Sequence, residues 1–278
     1  MIRLVYYELF KMFLKKRTYL GFAFVLLIVP LVEIAFKLEG GRFLQVATRG
    51  LAQDFFLVGN LFNGWLVSYQ LMNSLFFHIP LLISFVAGDQ LAGEATAGTY
   101  RLLLTHPISR TKIFFAKYIA TLTYTFLFVL FLAVLSIGLA YSLLGGGDLL
   151  VIDRIILILP EAEVAWRFIL AYALALWAMI TIASISFFFS SFVENGIGPI
   201  VATMGILILF LIVSTIPLEM FAAIKPYLFT DYLNLWQKAF HDPILWNEVQ
   251  KAVMVFGLYS FASVIGAWII FTHKDILS

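Results

Sequence analysis

With 63% hydrophobic residues, 12% charged residues and a mean hydropathy of +1.00, this 278-residue chain lies outside the range of soluble domains, whose charged share is about 25%. It is an integral membrane protein with room for several spans of about 20 apolar residues each, and none for a sizeable soluble domain beside them. A formal charge of +2 is too small to point to nucleic acid, and the absence of cysteine excludes disulfides, thiolate metal sites and cysteine catalysis.

In residues 1–18, Ile2, Val5, Tyr6, Leu9, Phe10 and Phe13 recur at helical spacing, with Arg3, Glu8, Lys11 and Lys15 on the opposite arc. This pattern predicts an amphipathic helix on the membrane surface, in contact with lipid. The basic run Lys15, Lys16, Arg17 leads into apolar sequence that continues past Pro30 to Phe36 without a small-residue cleavage site, so it reads as an uncleaved first span. Glu33 falls near the far end of that span, where snorkelling to water is easy. The second span, about 66–87, is interrupted by His78 and by Pro80, whose missing N–H kinks a helix. His78 is either hydrogen-bonded at that kink or a contact in a transport pathway or gate. Asn63, Gln70 and Ser74, seven and four residues apart, form a polar stripe that serves as packing glue or faces a path or a dimer partner.

Residues 89–118 then form a polar, basic segment between two apolar runs. Its order is Glu94, a Gly98-Thr99 step, Arg101, a leucine cluster including Leu102 and Leu103, then Pro107, Ser109, Arg110 and Lys117. Gly98 can end one short helix, Pro107 the next, and Ser109 can cap a third, giving a helix-turn-helix element projecting from the membrane. A carboxylate at Glu94 pairs most simply with Arg101 or Arg110. The third span covers about 119–144, the fourth about 166–189, the fifth about 199–216 and the sixth about 252–271. Leu149 to Leu159, split by Asp153 and Arg154, is too short and too charged to span. In 217–251, Pro217, Pro226 and Pro243 accompany Trp236, Trp246 and several tyrosines, as suits short helices at the outer interface. The clusters at Lys15 to Arg17 and Arg110 to Lys117 put both termini in the cytoplasm by the positive-inside rule.

The run from Glu94 to Lys117 resembles the cytoplasmic loop of ABC-2 type transporter permeases, the membrane subunits of ATP-driven exporters. The resemblance implies an all-α fold with six transmembrane helices, an N-terminal interfacial helix, a cytoplasmic coupling loop and short outer helices before the last span. It also implies a single permease domain over 1–278, placed as a multi-pass protein of the cytoplasmic membrane. Glu94, Gly98, Thr99, Arg101, Leu102, Leu103, Pro107, Ser109, Arg110 and Lys117 would then couple the chain to two copies of a separate ABC ATPase. A second permease copy would complete a homodimer. Ala95 to Ala97 and His106 depart from the family pattern, in which charged and small or polar residues are usual at those places.

No G-x-x-x-x-G-K-[ST] phosphate loop occurs, so the chain holds no nucleotide in the manner of a transport ATPase; the implied ATP and Mg belong to the partner subunit. The missing H-E-x-x-H and G-x-S-x-G patterns remove the commonest hydrolase signals, and the chain reads as no enzyme, with no cofactor or metal site of its own. The alternative function is a carrier or channel driven by an ion gradient, which calls for paired charges at mid-membrane or inverted halves with broken helices.

Overall fold

The structure is a computed structural model and describes residues 1–47, 61–96, 98, 108–152 and 156–274. Helix dominates, as it must where no water satisfies the backbone. The chain begins with α1 (Ile2–Leu14) and α2 (Thr18–Ala47), followed by α3 (Gly64–Leu75), α4 (Ile79–Ala87) and α5 (Asp89–Thr96). Then come α6 (Arg110–Leu144), the strands β1 (Leu149–Ile152) and β2 (Ile156–Leu159), α7 (Glu161–Phe192) and α8 (Gly198–Thr215). The short α9 (Glu219–Ala222), two 3-10 segments (Lys225–Tyr227 and Phe229–Phe240) and α10 (Trp246–His273) complete the described chain. Five helices are long and apolar enough to cross a membrane: α2 over Thr18–Arg42, α6, α7, α8 and α10.

The pair α3 and α4, bent by 56° at its break, is together long and apolar enough to cross, and counted as one broken span it brings the number to six. Pro80 sits in the first turn of α4, where its missing N–H does no harm, whereas Pro30 lies inside the continuous α2. His78 lies at this break with Nδ1 3.1 Å from the Ser74 carbonyl oxygen, the kink-bonded arrangement. Leu149–Ile152 and Ile156–Leu159 are strands. The two pair antiparallel, Leu149 opposite Leu159 and Ile152 opposite Ile156, and they bury Leu149, Leu150 and Val151. This hairpin is the one β element among the described residues. The expected short helices before the last span are present as α9 and the two 3-10 segments.

Packing centres on α7. Two-thirds of its apolar window (67%) is buried inside the protein, against 17–28% for the other single-helix spans. It touches α4, α5, α6, α8, α10 and the 229–240 segment. Both ends of the chain meet the start of α6. Arg110 donates to the Thr272 and Lys274 carbonyl oxygens at 3.2 and 2.9 Å, while Lys117 donates to Glu8 of α1 at 2.7 Å. We call this the basic end of the bundle. At the opposite, aromatic end, Trp236 packs with Tyr69 and Phe76, and the buried Arg167 near the start of α7 pins the 229–240 segment. Arg167 donates to Ala239 O and His241 O at 3.3 and 2.6 Å and pairs with Glu163 at 2.9 Å and Asp242 at 3.6 Å.

Glu33 does not snorkel. It is fully buried, on the stripe Gly21, Val25, Val29 and Glu33 that faces the bundle interior. Four-residue spacing keeps one helix face inward, and here that face carries the acid. The neighbouring Phe22 meets Tyr124, Phe128 and Phe131 of α6, with ring centroids 5.3–5.8 Å apart.

Candidate functional site

At the basic end, the segment expected to project into water begins instead as a buried helix. Asp89 to Glu94, the first six residues of α5, are all buried. The chain leaves α4 at Gly88, and a new helix start exposes backbone N–H groups that need acceptors. Ser190 of α7 supplies one. Its Oγ accepts from the Leu91 and Ala92 N–H groups at 3.0 and 2.9 Å and donates to the Gly88 carbonyl at 2.6 Å. Thr96 at the other end donates to Glu194 O at 2.8 Å. Gly98 follows with φ of 65°, the left-handed conformation that ends the helix as the sequence predicts.

Both carboxylates of α5 are ion-paired, and their partners lie on other helices. Asp89 meets Lys15 at 2.8 Å and also Arg17, the two bases that close the link between α1 and α2. Glu94 meets Lys117 of α6 at 3.0 Å and also Lys11 of α1. Lys117, whose side chain is only 1% exposed, reaches Glu8 of α1 at 2.7 Å as well, and Lys11 lies 3.6 Å from Glu8. Three carboxylates and four cations therefore join α1, its link to α2, α5 and α6. Burial alone would push the Lys11 ammonium down in pKa, but its hydrogen bond to Glu94 and the charges of Glu8 and Glu94 outweigh this and raise it. Gly93 makes the cluster possible, because a Cβ there would land on the Asp89 carboxylate. Beside the cluster runs a cleft of about 450 Å³ between α1 and the start of α6, walled by Leu4, Tyr7, Phe10 and Ile113, with Glu8 and Lys11 in its lining.

This geometry bears on two of the expected site residues. Of the two partners expected for Glu94, Arg110 instead donates to the Thr272 and Lys274 carbonyl oxygens, and Arg101 falls outside the described residues. Lys117, read from the sequence as part of a polar segment ahead of the third span, is buried. The helix of the third span starts at Arg110, so Lys117 sits two turns inside it and points into the cluster. Ser109 caps that helix as predicted, accepting from the Lys112 N–H at 3.4 Å. Thr99, Leu102, Leu103 and Pro107 also lie outside the described residues.

Glu8, Lys11, Asp89, Lys15 and Arg17 were missed as site residues. Glu8 and Lys11, three apart on one arc of α1, carried the only local signal.

Of the candidate pathway residues, Gln70, Ser74 and His78 are linked at four-residue spacing, and Asn63 is set apart at the start of α3. Asn63 is buried and caps α3, accepting from Leu66 N at 3.1 Å and donating to Asp148 O at 2.7 Å. Gln70 is half-buried, while Ser74 and His78 are exposed, Ser74 donating to Gln70 O at 3.0 Å. The serines late in α7 act as packing contacts: Ser184 with Tyr118 at 2.9 Å, Ser186 to Ser84 O at 3.2 Å, and Ser190 as above. Among the described residues no group of three or more His, Asp or Glu side chains could hold a metal ion.

Comparison with curated proteins gave no match. A family model described as ABC-2 family transporter protein matches residues 5–263, nearly the whole chain. The chain therefore belongs to the ABC-2 family of transporter proteins, as a membrane permease subunit.

Proposed function

We propose that this permease works with two copies of a separate ABC ATPase, that it forms a homodimer in the cytoplasmic membrane, and that it exports its cargo at the expense of ATP bound with Mg by those partners. Both termini, and with them the basic end, then face the cytoplasm. The observation that carries the reading is the family match over residues 5–263. The ion-paired cluster supports a route for coupling. The undescribed segment 99–107, which holds Arg101, Leu102 and Leu103, is flanked by Gly98 after α5 and by Ser109 at the start of α6. Those two helices are bound to each other and to α1 through Glu94, Lys117, Glu8 and Lys11. A partner pressing on that segment would move three elements as one, while Ser190 ties α5 to the central α7. Such a contact transmits work only if it differs between two conformations of the permease.

The test is copurification of the tagged chain with a P-loop ATPase encoded beside it, comparing the native sequence with Glu94→Ala, Arg101→Ala. Loss of the complex, or of its ATP turnover, with membrane insertion intact is the expected result. Transport by the native chain with no ATPase bound would overturn the reading in favour of a gradient-driven carrier.

A further inference from the structure

Glu33 is a fully buried acid within a span, far from the cluster at the basic end. Neither of its carboxyl oxygens has a hydrogen-bond partner among the described residues, and the side chain is fully buried. It stands 15 residues beyond Thr18, about 22 Å along the helix at 1.5 Å per residue, well into the half of the bundle nearer the aromatic end. The helices packed on α2 bring no counter-charge there. α3 and α4 contain no Asp, Glu, Lys or Arg, and the bases of α6, Arg110, Lys112 and Lys117, lie at its opposite end. Lys37, one turn on in α2, is exposed. From α7 the Tyr172 hydroxyl is within electrostatic reach of Glu33 and shares a 2.7 Å hydrogen bond with Ser136 Oγ. Ser136 O in turn accepts from Ser68 Oγ at 3.2 Å, so three helices contribute hydroxyls to one buried polar patch.

Hydroxyls can solvate a carboxyl group but cannot neutralise it. An isolated buried carboxylate loses several kcal/mol relative to water, and apolar residues of similar volume serve packing better. A bundle that needed only packing at this position would be more stable with leucine. We propose that Glu33 is a binding site for a positive charge supplied from outside the chain, carried by a proton or by a cationic group of the cargo. The two sources share one chemistry, electrostatic neutralisation of the buried carboxyl, and differ in what replaces it. Glutamine imitates a protonated carboxyl in size and lack of charge, but it carries no charge with which to neutralise a cation. The assignment does not depend on an ATPase partner, since it is read on the permease alone.

The experiment uses the purified chain in phospholipid nanodiscs with two probes. Dicyclohexylcarbodiimide labels protonated carboxyls in apolar surroundings, and mass mapping locates the adduct; tetraphenylphosphonium is a lipophilic cation whose binding is measured directly. A proton source gives an adduct at Glu33 that tetraphenylphosphonium does not suppress. A cationic cargo site gives tetraphenylphosphonium binding at least tenfold tighter to the native chain than to Glu33→Gln, with protection of Glu33 from the carbodiimide. No adduct at Glu33, together with equal cation binding by the two chains, would overturn the proposal. The labelling, run with and without tetraphenylphosphonium, needs only the native sequence, and Glu33→Leu replaces Glu33→Gln in the binding comparison if the latter does not fold. A Glu33→Leu chain adds the structural readout: it should melt at a higher temperature than the native chain and lose both signals.

Discussion

Replacing Lys117 by methionine removes the cation that holds two carboxylates from two other helices. Its ammonium is 2.7 Å from Glu8 and 3.0 Å from Glu94. At an effective dielectric of about 20 each contact is worth roughly 6 kcal/mol of gross attraction, most of which offsets the loss of hydration. What the protein loses is set by the carboxylates left behind. Breaking a buried pair by removing one partner typically costs about 3–5 kcal/mol. Lys11 remains next to both acids and is 40% exposed, so it can shift to cover part of the deficit. The net cost should fall near the lower limit, about 3 kcal/mol, and at roughly 2–4 °C per kcal/mol for a chain of this size the melting temperature should drop by about 6–12 °C. Glu94→Gln in the same background removes one stranded acid and leaves Glu8 matched to Lys11. The double variant should therefore be more stable than the sum of the single losses by about 1–3 kcal/mol. Thermal melts of the four chains in one nanodisc preparation, followed by tryptophan fluorescence, measure this. Additivity within about 0.5 kcal/mol, or a shift below about 2 °C for Lys117→Met, would show that the cluster is not the coupled unit described here.

Ser190→Ala leaves the Leu91 and Ala92 N–H groups without their acceptor; a loss of about 2 kcal/mol in melts, with faster hydrogen exchange at those two amides, is expected. Gly93→Ala should lower the melting temperature by driving the Asp89 carboxylate off Lys15 and Arg17, whereas Gly138→Ala in α6, where a Cβ meets nothing within 4 Å, should raise stability by about 0.5–1 kcal/mol. Arg167→Met strands the Ala239 and His241 carbonyls, and protease sensitivity should rise first around 229–245 with a loss of about 3 kcal/mol. Because Lys11 is raised above its ordinary value of 10.5, its contribution is complete below that pH and fades as pH rises through the folded-state value. A pH series of melts should thus fall above about pH 10.5 in the native chain, and fall less steeply in Lys11→Met.

The spans were legible because a bilayer demands long apolar runs, and the break at Pro80 and the cap at Ser109 follow from local chemistry alone. The strand pairing of Leu149–Ile152 with Ile156–Leu159 was not, since two short apolar runs split by Asp153 and Arg154 say nothing of the partner that strand pairing needs. The ionic cluster was hidden for another reason. On α1 the polar arc was assigned to water, as it would be on a soluble protein. At a bilayer surface lipid solvates the apolar arc, leaving Ile2, Tyr6 and Phe10 exposed on the isolated chain, and the polar arc is free to pack on protein, which buries Glu8. The pairing of Glu94 with Lys117 joins residues 23 apart on two different helices, and no periodicity encodes it.

Glu33 illustrates the same limit from inside the bundle. A span that is apolar all round gives no contrast by which its inward face can be read, so an acid two-thirds of the way along it was assigned to the nearest water. The stripe Gly21, Val25, Val29, Glu33 identifies the inward face only once the packing on α6 is known. The comparison with the basic end then becomes informative. There the chain places four cations around three carboxylates; near Glu33 it places the Tyr172 hydroxyl, and Glu33 forms no ion pair among the described residues. The same sequence that pairs Asp89 twice over leaves Glu33 unmatched, and an acid kept without a counter-charge in a transporter span is best accounted for by a positive charge that comes and goes.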